Sequence, residues 1–351
     1  MPEPGTGKAG RVSMLRVPIA AASRAGGRAC TTAQRLGYDC DARLVIINAD
    51  DFGLCDEVNR AVIETLKHGA VSSASLMVPA PRFAEAAEFA RTHPEIDVGV
   101  HLVLTSEWNR RNKWGPVLGR DAVPSLMDDE GHLWAHPGRL FARVRPEEAE
   151  AELRAQVTKA LAAGVDVSHV DSHMFVLHGW HTAYRDMYVR IASDFRLPMR
   201  AAGHALLVPL MWSSILGSYS KRMRAIRRAL LLRSGFSSIV RDTGPLGVML
   251  PDYVAVMGLA RHGETDAYWS AVIEHLPPGL TEIFCHPALP TADLLSYVDD
   301  AAERAADFRF FGSPAARTLL SSANVKLVGH RLLREAMRCG AGGATGGAFP
   351  A

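Results

Sequence analysis

Two aspartates, Asp50 and Asp51, stand side by side in "NADDFG", where the apolar run of Leu44, Val45, Ile46 and Ile47 ends. Three more apolar runs carry polar groups near their ends: His101 in "VGVHLVL", His169, Asp171 and His173 in "SHVDSH", and His286 in "TEIFCHP". Singly, each has a structural reading, since a histidine in an apolar run is more often a hydrogen-bonded core residue and Asp50 is a candidate helix cap. Together they are costly to desolvate unless a cation neutralises them. Two imidazoles and one carboxylate from separate strands make a three-ligand set that leaves room for water and substrate, a composition that favours zinc among divalent ions. Adjacent side chains on an extended strand point to opposite sides, but the chain bends at a strand end. One aspartate can then ligate while its neighbour takes a proton from the attacking water. Either order of the pair satisfies this chemistry.

Groups so scattered must be gathered by the fold. Runs at 44–50, 74–79, 98–104, 168–173, 281–286 and 325–329 have the length and β-branched content of buried strands. Helical patterns separate them at 56–68, 82–92, 146–163, 181–195, 265–276, 292–307 and 330–338. The 146–163 segment opens with Pro146, Glu147 and Glu148 and closes at Gly164, which suits the two ends of a helix. Such alternation predicts an α/β fold with a mostly parallel sheet, open or closed into a barrel, and function at the carboxyl ends of its strands.

Composition sets further bounds. The 351 residues are 48% hydrophobic and 22% charged, enough to bury a large core, and the formal net charge of +2 is too slight to imply nucleic acid as a partner. The five cysteines form neither a CxxC pair nor a disulfide framework, which points to a reducing, cytoplasmic setting. Residues 1–41 read as a disordered extension, or as the product of an upstream start with Met14 the alternative; an arginine-rich, acid-poor transit peptide is a weaker fit. Residues 42–338 form the expected domain, and the glycine-rich end, 339–351, reads as a flexible tail.

The stretches "LVIINADDFGLCDEVNRAVIE", "GVHLVLT", "SHVDSH" and "TEIFCHPA" resemble the YdjC-like carbohydrate deacetylases. "VSSASLMVPAP", "VPSLMDDEGHLW" and "LPPGLTEIFCHPAL" are similar to the branch associated with hopanoid biosynthesis. The resemblance implies a distorted TIM-like (β/α) barrel and a divalent metal, Zn2+ or Mg2+, held by Asp51, His101 and His173. It also implies Asp50 as general base, His286 as the acid that protonates the leaving amine, and Arg200 as a group orienting a carboxylate or the substrate. The expected substrate is an N-acetylated amino sugar, free or lipid-linked, and a homodimer is compatible with the chain. Two alternatives are a metal-dependent phosphoesterase and a non-catalytic sugar- or lipid-binding protein.

Relatives continue the fourth motif with further histidines, whereas this chain reads "DSHMFVLHGWH", with Met174, Phe175 and Leu177 at polar positions and His178 and His181 displaced. Within a 205–240 insertion, residues 211–233 carry Lys221, Arg222, Arg224, Arg227, Arg228 and Arg233, no acidic residue, and several apolar ones. That pattern suits a helix lying on an anionic membrane surface, here the inner membrane, or a solvated helix.

Overall fold

A computed structural model describes residues 30–108, 113–178, 181–201, 204–206, 239–255 and 265–340. Its strands are β1 (Arg43–Phe52), β2 (Ser73–Leu76), β3 (Asp97–Leu102), β4 (Val167–Ser172), β5 (His204–Leu206), β6 (Tyr253–Ala255), β7 (Gly279–Cys285) and β8 (Lys326–Leu327). They form one sheet in the order β4-β3-β2-β1-β7-β6-β5, with β8 beside the start of β1, and every pairing is parallel. Val170 of β4 also bridges Met199 in parallel, so the chain approaching β5 runs along β4 and the sheet curls round on itself. The result is an α/β fold with the parallel sheet expected from the alternating pattern, curled into the distorted barrel that the resemblance implies.

Register explains why the polar groups meet. His101 pairs with Asp171 across β3 and β4, and Ala49 pairs with Cys285 across β1 and β7, so these strands finish together at one mouth. Side chains alternate along β1. Val45, Ile47 and Ala49 join the large core beneath the helices, whereas Leu44 and Ile46 pack with Leu280, Leu333, Ala33 and Leu36 at the foot of the barrel. Farther along the same face lie Asn48 and Asp50, among buried Ser73, Ser75, His169, Asp171, Arg200 and Glu282. The barrel is therefore apolar at its foot and polar toward its mouth.

Several expectations shift. The 292–307 pattern divides into helices Ala292–Tyr297 and Ala301–Phe311, because Val298 is extended and Asp300 turns its carboxylate onto Arg304. Strands β5 and β6, three residues each, and helices Pro137–Arg143 and Pro314–Ser322 were not foreseen. Residues 30–41 were placed in the extension, yet Thr31 caps a short helix, Thr32–Arg35, through a reciprocal bond with Gln34. Thr32 is tied to Asp252 and to the Leu250 carbonyl, and Ala33 and Leu36 are buried, so this segment closes the barrel foot. Residues 1–29, most of the 205–240 insertion with its basic stretch, and 341–351 lie outside the described residues.

Gly99 sits where a Cβ would come within 2.4 Å of the His169 ring. Overpacking of a buried site typically costs about 1–3 kcal/mol. Gly99→Ala is expected to lower stability by that order in chemical denaturation; an unchanged midpoint would contradict the packing described.

Candidate active site

Asp51 lies where β1 turns, with φ 67°, a left-handed value uncommon for a residue with a side chain. Gly53, at φ 101°, completes the bend, and its amide donates to Asn59 Oδ1. The bend sends the two neighbouring carboxylates to different partners. Asp51 Oδ1 lies 3.4 Å from His101 Nε2 and 3.4 Å from His173 Nδ1, while the two imidazole nitrogens are 3.2 Å apart. All three side chains are buried, and Asp51 Oδ1 has no hydrogen-bond partner. Ligand bonds of about 2.0–2.2 Å in tetrahedral geometry separate donor atoms by about 3.3–3.6 Å. Two sides of this triangle match that spacing, and the third, between the imidazole nitrogens, is about 0.1 Å shorter.

Each corner is held from behind. Asp171 Oδ1 accepts from His101 Nδ1 at 2.6 Å, which turns Nε2 toward the triangle, and Ser75 Oγ donates to Asp171 Oδ2 at 2.8 Å. Glu107 Oε1 accepts from His173 Nε2 at 2.8 Å, and Arg304 Nη2 donates to Asp51 Oδ2 at 2.8 Å. Carboxylates behind ligating histidines fix ring orientation in metal sites. Burial alone would raise the Asp51 carboxyl, but Arg304 and His173 hold it well below the usual carboxylate range. Burial would lower His173, yet Glu107 and Asp51 draw it up to about 10. These surroundings favour positive charge at the triangle, either a proton on imidazole or a cation among the three atoms.

Asp50 faces inward and is gripped by Arg200, whose Nη1 and Nη2 lie 2.6 and 2.7 Å from its two oxygens. Asn48 adds a third bond at 2.8 Å. Burial pushes the Asp50 carboxyl up, but Arg200 outweighs it and brings the group down to about 2. The same guanidinium donates from Nε to Glu282 at 2.6 Å and reaches Asp171 at 2.8 Å. Arg200 is thus committed to three carboxylates, Asp50, Asp171 and Glu282. His286 is partly exposed at the mouth, with Nε2 3.9 Å from Asp50 Oδ2 and its amide donating to Asp307.

Two other groups of histidines and carboxylates fit an ion less well. In Asp97, His169 and His330 the two rings stack at 3.7 Å with planes 14° apart, so their in-plane lone pairs run parallel instead of converging. In Asp50, His101 and Asp171 the carboxylates already serve Arg200 and His101 Nδ1. The departure after His173 is also explained. Met174 and Phe175 both have left-handed φ, 52° and 55°, which leaves Met174 exposed and buries Phe175 against Phe284. His178 donates to the Arg200 carbonyl and His181 packs on Phe141; Glu107 is what holds His173. Glu107, Glu282 and Arg304 were missed in the sequence, and Asp171 was noticed without a role.

Two outcomes follow from this geometry. Asp51→Asn or His173→Gln should abolish stoichiometric zinc binding measured by elemental analysis, whereas His330→Gln should retain it; the reverse pattern would move the site to the stacked pair. His178 is neutral in the fold, with burial pulling its pKa from 6.5 to about 4. The unfolded chain then binds the proton first, so stability is lost as pH falls from 6.5 toward 4, by an amount on the order of 3 kcal/mol. His178→Gln should flatten that part of the stability–pH curve, and an equally steep curve would contradict the assignment.

Comparison with known proteins agrees with this architecture. A solved structure from Enterococcus faecalis, provisionally described as a cellobiose-phosphate cleavage protein, superposes with a TM-score of 0.63 at 25% identity, over 83% of this chain and 99% of that one. A carbohydrate deacetylase from Brevibacillus brevis is 41% identical over 156 residues, 44% of this chain and 58% of its own length. The chain thus spans little more than half of that relative. A chitooligosaccharide deacetylase from Serratia marcescens is 31% identical over 256 residues, 72% of this chain and 85% of its own. The model of the YdjC-like protein family matches residues 44–322, and the chain belongs to that family.

Proposed function

We propose that the protein is a metal-dependent carbohydrate N-deacetylase, hydrolysing the acetamido group of an N-acetylated amino sugar to acetate and a free amine. The observation that carries this reading is the unpartnered Asp51 Oδ1 facing two imidazole nitrogens, with the clamped Asp50 carboxylate next to it. Relatives described as carbohydrate and chitooligosaccharide deacetylases support the substrate class.

Asp51, His101 and His173 would hold the ion, and two nitrogens with one oxygen favour zinc or a similar transition ion over magnesium. A divalent ion held there would supply Lewis acidity to the acetyl carbonyl and would lower the pKa of the attacking water. Asp50 takes the proton of that water. Arg200 keeps Asp50 ionised and fixes the direction of its oxygens; both are occupied by Arg200, which supports Asp51 as the ligand and leaves Asp50 the neighbouring carboxylate for the proton. His286, beside Asp50 at the mouth and partly exposed, donates a proton to the departing nitrogen. A phosphoesterase would need free cationic groups at the mouth, whereas the buried arginines Arg200 and Arg304 are both bound to carboxylates.

For the acceptor we propose an N-acetylglucosaminyl lipid of the hopanoid type. The support is the resemblance of "VSSASLMVPAP" and "VPSLMDDEGHLW" to that branch and the basic, partly apolar 211–233 stretch, suited to peripheral contact with an anionic membrane. Among the described residues no helix is long and apolar enough to cross a membrane.

General base catalysis contributes about 100-fold to 10,000-fold. Asp50→Asn is expected to keep its metal and lose activity by that factor, read as acetate released from a chito-oligosaccharide and from an N-acetylglucosaminyl lipid in parallel. A fully active Asp50→Asn variant would refute the base assignment, and faster release from the free sugar would refute the lipid acceptor.

A further inference from the structure

We propose that Arg304 makes Asp51 a one-oxygen ligand and so sets the selectivity of the centre against large, oxygen-seeking divalent ions such as calcium; this rests on the metal reading above. Asp51 divides its two oxygens completely. Oδ1 has no hydrogen-bond partner and faces His101 and His173, while Oδ2 accepts from Arg304 Nη2 at 2.8 Å. For both oxygens to turn toward one ion, that buried ion pair must break.

Arg304 is not free to yield. It is 5% exposed, its Nε donates to both oxygens of Asp300 at 3.0 Å, and its guanidinium carbon lies 5.2 Å from the centre of the Trp108 ring. Its carbonyl accepts from the Ala288 amide at 3.2 Å, which ties helix Ala301–Phe311 to the loop that follows β7. The left-handed backbone at Asp51, φ 67°, further limits how the carboxylate can swing. A guanidinium held on three sides therefore fixes which oxygen is offered.

Ion chemistry turns this restriction into selectivity. Calcium takes six to eight oxygen ligands and gains from carboxylates that bind through both oxygens. Zinc and its neighbours accept two imidazoles and a single carboxylate oxygen. With Oδ2 blocked, calcium is offered one protein oxygen from Asp51 and two nitrogens of little use to it. Without Arg304, Oδ2 becomes available to calcium, and zinc gains little from it.

The test is calorimetric titration of the metal-free, full-length protein with zinc chloride and, separately, calcium chloride. Removing a positive charge strengthens binding of both divalent ions alike, so the effect cancels in the zinc-to-calcium affinity ratio. Arg304→Gln is expected to lower that ratio roughly tenfold or more through the freed oxygen. Arg304→Lys should keep most of it, because an ammonium on Oδ2 still blocks that oxygen. Asp300→Asn, at a half-exposed residue, loosens Arg304 without touching Asp51 and should lower the ratio by a smaller factor. An unchanged ratio in folded Arg304→Gln overturns the proposal. If that variant does not fold, an unchanged ratio in Asp300→Asn overturns it equally. Wild-type protein that takes up no zinc would instead refute the metal reading beneath it.

Discussion

One guanidinium balances the inside of this barrel. Arg200 meets Asp50, Asp171 and Glu282 at 2.6–2.8 Å, and all four side chains are buried. Carboxylates withdrawn from water are strongly destabilising unless paired and hydrogen-bonded. Arg200 supplies the pairing for three of them at once, and its Cζ lies 4.8 Å from the centre of the Phe284 ring. Its backbone is equally committed, with the amide donating to Val170 and the carbonyl accepting from His178 and Tyr188. The residue that neutralises the interior thus also sits at the seam where the sheet curls back on β4. Closing the barrel and aligning the site are consequently one event.

That constraint separates the paired aspartates. Asp50 continues the inward face of β1 and is captured by Arg200, whereas Asp51, in a left-handed turn, leaves the strand and meets two imidazoles on one oxygen and Arg304 on the other. Two like charges at adjacent positions are tolerable because each has its own cation. Behind them, Asp171 and Glu107 orient His101 and His173 from opposite ring nitrogens, Nδ1 in one case and Nε2 in the other. The imidazoles can then present their remaining nitrogens to a common point only in the geometry seen here.

Much of this was legible in the chain. The runs 44–50, 168–173 and 281–286 announced strands with polar tips because β-branched residues and turn glycines bracket them. Residue type gave a pool of carboxylates and histidines at strand ends and left the order of Asp50 and Asp51 open; it was the family resemblance that put the ligand set on Asp51, His101 and His173. The supporting groups were hidden because their roles come from pairing across long stretches of sequence: 253 residues separate Asp51 from Arg304, and 82 separate Arg200 from Glu282. Arg304 lies in "AAERAADFR", where nothing in the alternation of alanine and charge sets it apart from a solvated helix face. Strands β5 and β6 were illegible for another reason, since three residues are too few to display a period. Residues 30–41 looked like a tail because their few apolar groups, Ala33 and Leu36, matter only once the barrel foot exists to receive them.

The central claim is that a cation belongs among Asp51, His101 and His173. A crystal of the full-length protein soaked in a zinc salt and measured at the zinc absorption edge tests it most directly. The account predicts an anomalous peak about 2.0–2.2 Å from Asp51 Oδ1, His101 Nε2 and His173 Nδ1. A peak beside Asp97, His169 and His330, or none within the barrel mouth, would contradict it.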